Sequence, residues 1–177
     1  ETIRINFQDG TAPKVDGYLV DNFEGFGDRG NGQSYGWVTE ASATDGDETD
    51  AVAIDGGAFP AIAINERTGG EFDNYDPRLT GYAHFDLGNY PTRTAWQIAL
   101  EDGFYEVTVS VGDTGGPNDS DNRLFIEGAL KTAWSATDEF KSQLLTATVE
   151  VTDGVLTLSA QGGAITEMQY LELRHLP

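Results

Sequence analysis

Cysteine is absent from this sequence of 177 residues, and proline (six), histidine (two) and long apolar runs are scarce. Without cysteine the chain cannot be a small disulfide-stapled fold, but it can still be secreted, because oxidising compartments permit disulfides without requiring them. No apolar run approaches the roughly 20 residues that cross a bilayer, so we expect no membrane insertion. A strand pattern starts almost at Glu1, which favours a piece excised from a longer precursor that is secreted and extracellular.

Basic residues are also scarce, since ten lysines and arginines face thirty aspartates and glutamates and leave a formal net charge of −20. This charge would repel nucleic acids and anionic lipid surfaces, and it excludes both as partners. The acids lie mostly in loops, as in residues 45–50, which is typical of a solvated surface suited to salty surroundings. The other interpretation is that some loop acids hold a structural Ca²⁺.

Turn and strand signals are abundant, with 22 glycines placed among short alternating runs. In the clearest run, Tyr105, Val107, Val109 and Val111 point to one side and the polar residues between them point to the other. Similar patterns predict strands over residues 3–7, 35–39, 51–54, 61–64, 82–87, 95–100, 105–111, 124–127, 129–134, 145–151, 155–159 and 168–173.

The connections between these runs complete the fold prediction. The turn signals Glu101-Asp102-Gly103 and Asp153-Gly154 predict two hairpins, because glycine readily supplies a positive φ. Only residues 138–143 suggest helix, as a single turn. The sequence therefore predicts an all-β fold, an antiparallel β-sandwich of the jelly-roll type, as one monomeric domain over residues 1–177.

Enzyme-like motifs are present but incomplete. Asp113-Thr114-Gly115 spells the aspartic-protease triplet, whose chemistry needs two carboxylates, yet it occurs once. Residues 112–116 mimic the GDSGG of trypsin-like proteases with a threonine at the nucleophile position. That chemistry also needs a histidine base, and His84 and His175 fit structural roles. We predict no catalytic residue, although carboxylate pairs for glycoside hydrolysis stay open because acids are abundant.

Metal binding has two candidate segments, residues 45–50 and residues 113–121. Neither has the fixed glycine and terminal glutamate of an EF-hand loop. Zinc is excluded by two distant histidines and no cysteine. We expect at most a structural Ca²⁺, with its ligands unknown.

Aromatic residues in polar, Gly-rich segments are the more useful functional signal. Residues 8–35 form a long Gly- and Asp-rich stretch of a kind that usually carries function. Sugar binding calls for flat aromatic platforms flanked by hydrogen-bonding groups, and residues 35–37 and 75–78 both offer that mixture. The alternative is that such rings fold back to cap the sandwich. The aromatic residues concerned are Phe23, Phe26, Tyr35, Trp37, Tyr75, Tyr82 and Trp134.

Several motifs occur in a specific order: residues 5–8 (INFQ), 17–21 (GYLVD), 29–37 (RGNGQSYGW), 76–80 (DPRLT) with His84, 96–100, 103–113, 127–128, 152–163 and 170–173 (YLEL). In this order the chain resembles the malectin-like modules of bacterial polysaccharide-degrading enzymes, apart from residues 40–70, which look like an insertion. The resemblance implies a galactose-binding-like β-sandwich that binds carbohydrate without cleaving it. It also implies sugar contacts at Tyr35 and in residues 113–122. Gln169 stands where related jelly-roll modules have a calcium-binding Asp.

We therefore predict a non-catalytic carbohydrate-binding module that targets a glycoside hydrolase or polysaccharide lyase, as a catalytic domain of the same precursor chain, to plant or algal polysaccharide. The charge favours a neutral glycan of the agarose, xylan or glucan type. Two alternatives stay open: a small β-jelly-roll lyase or hydrolase, and a structural spacer without ligand. The predicted ligand-binding residues are Tyr35 and Trp37, for stacking, and Arg78, Asn118, Asp121 and Arg123, for hydrogen bonds.

Overall fold

Two β-sheets face each other in the computed structural model, which describes residues 2–45 and 48–177. That part of the chain contains strands and short 3₁₀ turns but no α-helix, as the alternating runs predict. The strands are β1 (Thr2–Phe7), β2 (Leu19–Asp21), β3 (Gly27–Asp28), β4 (Ser34–Thr39), β5 (Ile64–Glu66), β6 (Gly81–His84), β7 (Thr94–Ala99), β8 (Gly103–Gly112), β9 (Asp121–Ile126), β10 (Ala129–Ser135), β11 (Ser142–Val151), β12 (Val155–Ser159) and β13 (Glu167–Leu176).

The seven-stranded sheet runs in the order β11-β8-β13-β1-β2, and the six-stranded sheet in the order β10-β9-β12-β7-β4-β3. In the larger sheet, β1 and β6 both pair with β13, β1 with residues 170–174 and β6 with residues 167–168. The short strand β5 pairs in turn with β6. All strand pairs are antiparallel except β1 with β2. The long connection from β1 to β2 is one of the segments that later forms the candidate site.

The core lies between the inner faces of the two sheets. The alternation in β8 holds, because Val107, Val109 and Val111 are fully buried. At the centre, Phe7 meets Trp37 and Trp96 edge-to-face, with ring centroids 6.1 and 5.6 Å apart. Aromatic contacts of this geometry add stability beyond the area that they bury.

Four sequence predictions about local structure are wrong. Residues 51–54 form only an isolated bridge between Ala53 and Val38, and residues 61–63 are a 3₁₀ turn before β5. Residues 138–143 contain no helical turn, because Thr137 and Phe140 bridge across a tight turn and β11 starts at Ser142. The fourth error concerns the hairpins at 101–103 and 153–154. There the chain crosses between the sheets, since β7 and β12 lie in one sheet and β8 and β11 in the other.

Candidate functional site

A cleft around Arg29 is formed by segments that are far apart in the sequence, residues 10–31 and residues 53–64. It has two hollows, a larger one of about 570 Å³ and a smaller one of about 460 Å³. Asn22, Glu24 and Arg29 line both hollows, which therefore adjoin each other. Each volume is within the range of small-ligand sites, about 300–1,000 Å³. We call the two hollows together the Arg29 cleft.

The guanidinium of Arg29 is fixed by contacts within the protein. Its Nη1 donates to the Glu24 carboxylate at 2.5 Å, and its Nη2 donates to the main-chain oxygens of Glu24 at 3.1 Å and Gly25 at 2.9 Å. It also lies over the Tyr35 ring, 5.1 Å from the centroid. Only 14% of the side chain is exposed. These contacts use three of its five N–H groups. Arg29 is therefore held in a fixed position while two of its N–H groups can still donate to a ligand.

Gly36 in β4 makes room for this arrangement. Its φ is +137°, a conformation that side chains other than glycine rarely adopt. A Cβ atom there would lie 2.2 Å from Nη2 of Arg29 and 2.6 Å from the main-chain oxygen of Glu24. The sequence therefore places glycine at the point in β4 where the guanidinium rests against the strand.

The larger hollow has an aromatic wall. Phe26 and Phe59 line it and are both half-buried. Phe59 is held by edge contacts with Phe23 and Tyr90, at centroid distances of 5.4 and 4.9 Å. Asn22 at the junction of the hollows is exposed, and its side-chain amide makes no hydrogen bond to the described residues. The cleft thus offers apolar ring surfaces next to free hydrogen-bonding groups.

Asp21 anchors the cleft to the core. It precedes Asn22, and its carboxylate accepts hydrogen bonds from the indole nitrogens of Trp37 at 2.9 Å and Trp96 at 2.8 Å. The main-chain N–H of Phe23 donates to the same carboxylate at 2.8 Å. Only 2% of Asp21 is exposed, and this burial raises the pKa of its carboxyl group. Three donors compensate a carboxylate that would otherwise be costly to bury.

The predicted stacking role of Tyr35 and Trp37 needs correction. Trp37 has no exposed surface and Tyr35 is 1% exposed, so neither ring has a free face for a sugar. Both belong to β4, where alternation about Gly36 turns them towards the core. Tyr35 still lies beneath the smaller hollow, and its hydroxyl donates to the main-chain oxygen of Val20 at 2.9 Å.

Arg78 does not line the Arg29 cleft but adjoins it, because its Nη1 donates at 3.4 Å to the hydroxyl of Tyr18, which lines the smaller hollow. Its guanidinium forms an ion pair with Asp76 at 2.6 Å and lies over the Tyr170 ring, 4.8 Å from the centroid. Glu172 is also near, at 3.6 Å. These contacts hold residues 76–80 against β13, which is a structural role.

The remaining predicted residues are separate again. Asp121 and Arg123 lie on β9 with their side chains 48% and 43% exposed and their charged atoms 4.0 Å apart. Asn118, in the loop before β9, donates to Asp138 at 2.5 Å. The structure therefore does not bring the six predicted residues together, and only Tyr35 lines the Arg29 cleft.

The sequence patterns point to Phe23 and Phe26 of the cleft but not to four other residues that form it, Asn22, Glu24, Arg29 and Phe59. One signal was available, because three of these lie in the Gly- and Asp-rich stretch of residues 8–35. The contribution of residues 53–64 had no local signal, since that segment reaches the cleft only through the tertiary fold.

The enzyme-like motifs have structural surroundings. Asp113 is 4% exposed, and its carboxylate accepts hydrogen bonds from the Arg67 guanidinium and from the N–H of Gly115. His84 is also 4% exposed, and its Nδ1 lies 2.9 Å from the main-chain oxygen of Ile62. The His175 ring packs on Tyr105, with centroids 5.0 Å apart.

Within residues 2–45 and 48–177, no group of three or more His, Cys, Asp or Glu side chains is arranged to bind a metal ion. The predicted calcium segment 113–121 is described, but the other, residues 45–50, includes Gly46 and Asp47, which lie outside the described residues. Over the same part of the chain, no helix has the length and apolar character needed to span a membrane.

A second recess, of about 270 Å³, lies on the outer face of the smaller sheet and carries acids. Glu48 lines it, and Glu127 lies beside it in the tight turn between β9 and β10. Oε1 of Glu127 accepts the N–H of Thr157 at 2.7 Å. Burial raises the pKa of both carboxyl groups, and it raises that of Glu127 to about 7, with a further contribution from the charge of Glu48.

We expect the stability of the protein to fall as the pH rises through 7. Folded Glu127 binds its proton more tightly than an unfolded glutamate, whose pKa is 4.5, so its stabilising contribution is complete below pH 4.5 and is lost as the pH rises through about 7. Thermal unfolding at pH 5.5 and 8.5 should show a melting temperature about 3 °C lower at the higher pH. Glu127→Gln, which retains an acceptor oxygen for Thr157, should reduce this difference.

The matched control for that experiment is Glu150→Gln, which changes an exposed carboxyl on β11. If both variants changed the pH dependence of the melting temperature equally, that pH dependence would reflect the net charge of the protein and not the burial of Glu127.

No family model matches this chain, and no curated protein sequence does. Among solved structures, protein YxiM of Bacillus subtilis matches with a TM-score of 0.56 and 17% identity, over 99% of this chain and 40% of its own. A calcium-binding mutant of Bacteroides uniformis β-glucuronidase 2 matches with a TM-score of 0.59 and 12% identity, over 100% of this chain and 18% of its own. A family 35 carbohydrate-binding module from Clostridium thermocellum gives a TM-score of 0.31 and 13% identity, over 54% of this chain and 88% of its own.

The chain thus spans less than half the length of the first two of these proteins. Carbohydrate-binding modules and glycoside hydrolases both occur among its structural neighbours. At these identities the likeness to YxiM and to the β-glucuronidase is one of fold alone, and the protein shares with them a two-sheet β-sandwich.

Proposed function

We propose that this chain is a non-catalytic carbohydrate-binding module and that its ligand binds in the Arg29 cleft. The observation that carries the proposal is the combination of half-buried Phe26 and Phe59 with the fixed guanidinium of Arg29 and the free amide of Asn22. A sugar ring has apolar C–H faces and hydroxyl edges, and it needs both kinds of surface at once.

Binding is a better account of this cleft than catalysis. Its carboxylates are already engaged in holding the loops: Glu24 pairs with Arg29, and Asp55 accepts the N–H of Gly57 at 3.0 Å. A glycosidase needs two carboxyl groups free to act as acid and as base or nucleophile on opposite sides of the scissile bond.

The proposal extends to the setting of the module. The same fold forms part of longer chains in YxiM and in a β-glucuronidase, which supports a module attached to a catalytic domain. Attachment would raise the effective concentration of the enzyme at a plant or algal polysaccharide, even if the affinity of a single site is modest. The setting we propose for such a protein is extracellular.

Filling the larger hollow is expected to abolish binding without unfolding the protein. Ala53→Trp places a bulky ring at an exposed alanine that lines the hollow, whereas Ala58→Trp changes an exposed alanine of the same segment outside the lining. Affinity gels that contain neutral and acidic polysaccharides should retain the wild type and Ala58→Trp but not Ala53→Trp. Thermal unfolding of both variants provides the check on folding. Equal retention of the two variants would remove the Arg29 cleft from the proposal.

A second candidate function, glycoside hydrolysis, is favoured by one observation. The pKa of Glu127, raised to about 7, would leave about half of this carboxyl protonated at pH 7, which suits a general acid. Release of reducing ends from the retained polysaccharide, lost in Glu127→Gln, would establish the hydrolase. Retention without cleavage products supports the binding module.

A further inference from the structure

The distribution of positive charge singles out Lys14. Seven of the ten lysine and arginine side chains contact a carboxylate or a main-chain oxygen. The other three, Arg4, Lys14 and Lys131, have no such partner in the part of the chain that the structure describes. Of these three, only Lys14 lines the Arg29 cleft. An unpaired cation in a recess of a protein with net charge −20 is an exception to its overall electrostatics.

Lys14 gives the smaller hollow a net positive charge. The other charged residues of this hollow are Glu24 and Arg29, which neutralise each other at 2.5 Å. The rest of the polar lining is neutral and includes Asn22 and Asn31, whereas the hydroxyl of Tyr18 already donates to the Glu172 carboxylate. An anionic group that enters the hollow therefore meets one uncompensated ammonium group and several neutral hydrogen-bonding groups.

We infer that the ligand is a glycan with a neutral backbone and sparse uronic acid residues, and that one uronate carboxylate pairs with Lys14. This inference rests on the proposed function of the cleft. The neutral sugar next to the uronate would lie against Phe26 and Phe59 in the adjoining larger hollow. The ligand class is thus more specific than the neutral glycan that the net charge of the sequence favours.

The acidic surface of the protein explains why the uronic acid residues of the glycan must be sparse. One carboxylate gains the attraction of Lys14, but its neighbours on a densely charged polymer would face a surface that carries thirty acids. Polygalacturonate and alginate should therefore bind more weakly than a polymer with isolated uronosyl branches. Because Lys14 is exposed, the attraction should weaken as salt shortens the Debye length.

The test uses glucuronoxylan and gum arabic, each beside its carboxyl-reduced form, in affinity gels at 20 and at 500 mM NaCl. We expect the native polymers to bind about fivefold more tightly than the reduced ones at low salt, the size of effect that one exposed ion pair can give. Lys14→Ala should remove this preference and high salt should reduce it. Lys131→Ala changes an equally unpaired lysine outside the cleft and should leave the preference intact.

The outcomes separate the inference from the proposed function. Equal retention of native and reduced polymers, with loss of both in Ala53→Trp, overturns the uronate inference and leaves the binding module in place. If Lys14→Ala still prefers the native polymer, Lys14 does not bind the uronate. The same conclusion follows if Lys131→Ala loses as much of this preference as Lys14→Ala. No retention of these polymers or of agarose and β-glucan by the wild type overturns both the inference and the proposed function.

Discussion

Asp21→Asn is expected to destabilise the protein by about 3 kcal/mol, although the change is isosteric and removes a buried charge. The carboxylate accepts three N–H donors, from Trp37, Trp96 and Phe23. An asparagine has one acceptor oxygen, so its NH₂ group must face an N–H donor wherever it points. Relief of the buried charge, whose burial raises the pKa of Asp21, offsets only part of this loss.

Urea denaturation of Asp21→Asn, Trp96→Phe and the double variant would measure the effect directly. Trp96→Phe removes the indole N–H from which Oδ2 of Asp21 accepts a hydrogen bond. The double variant should therefore be more stable than the sum of the two single changes implies, by about 1 kcal/mol or more. Asp16→Asn, at an exposed carboxylate, is the control and should change stability by less than about 0.5 kcal/mol. Strict additivity in the cycle would mean that Trp96 and Asp21 do not interact.

Gly36→Ala is expected to cost about 4 kcal/mol and to disrupt the Arg29 cleft as well. The new Cβ would lie within 2.6 Å of both the Arg29 guanidinium and the Glu24 main-chain oxygen, at a φ of +137°. Strain and overpacking each typically cost 1–3 kcal/mol, so the two effects together account for roughly this loss.

The matched control is Gly27→Ala in the neighbouring strand β3. A Cβ at Gly27 meets no heavy atom within 4 Å, and its backbone is not in the left-handed region. Denaturation midpoints should therefore separate the two variants clearly. Similar midpoints for both would show that β4 can shift to accept a side chain, and the position of Arg29 would then not depend on Gly36.

The strands could be predicted from the sequence because the alternation of apolar and polar residues lies within each strand itself. The β8 run can be read from the chain itself, and its valines are buried as predicted. The connections could not be read in the same way. The turn after residue 100 has the same glycine signal whether the chain doubles back in one sheet or crosses to the other.

The candidate site was less predictable than the fold. Tyr35 and Trp37 attracted a functional interpretation because polar and glycine residues surround them, yet their spacing of two also indicates a buried strand. The Arg29 cleft depends on the meeting of residues 10–31 with residues 53–64. Such a meeting is set by tertiary packing, and a single sequence carries no pattern for it.

The pairing of β1 with β13 has a mechanical consequence. The two strands are antiparallel, with Thr2 opposite Arg174 and Asn6 opposite Tyr170. A pulling force applied at Thr2 and Leu176 therefore acts at one end of this ladder and opens it one residue pair at a time, whereas a shearing force would load every hydrogen bond together. Because β13 is also paired along its length with β8, and Arg174 with Glu106 at 2.9 Å, β1 would peel away first, together with β2 on its outer edge, while β13 would stay paired with β8 under tension.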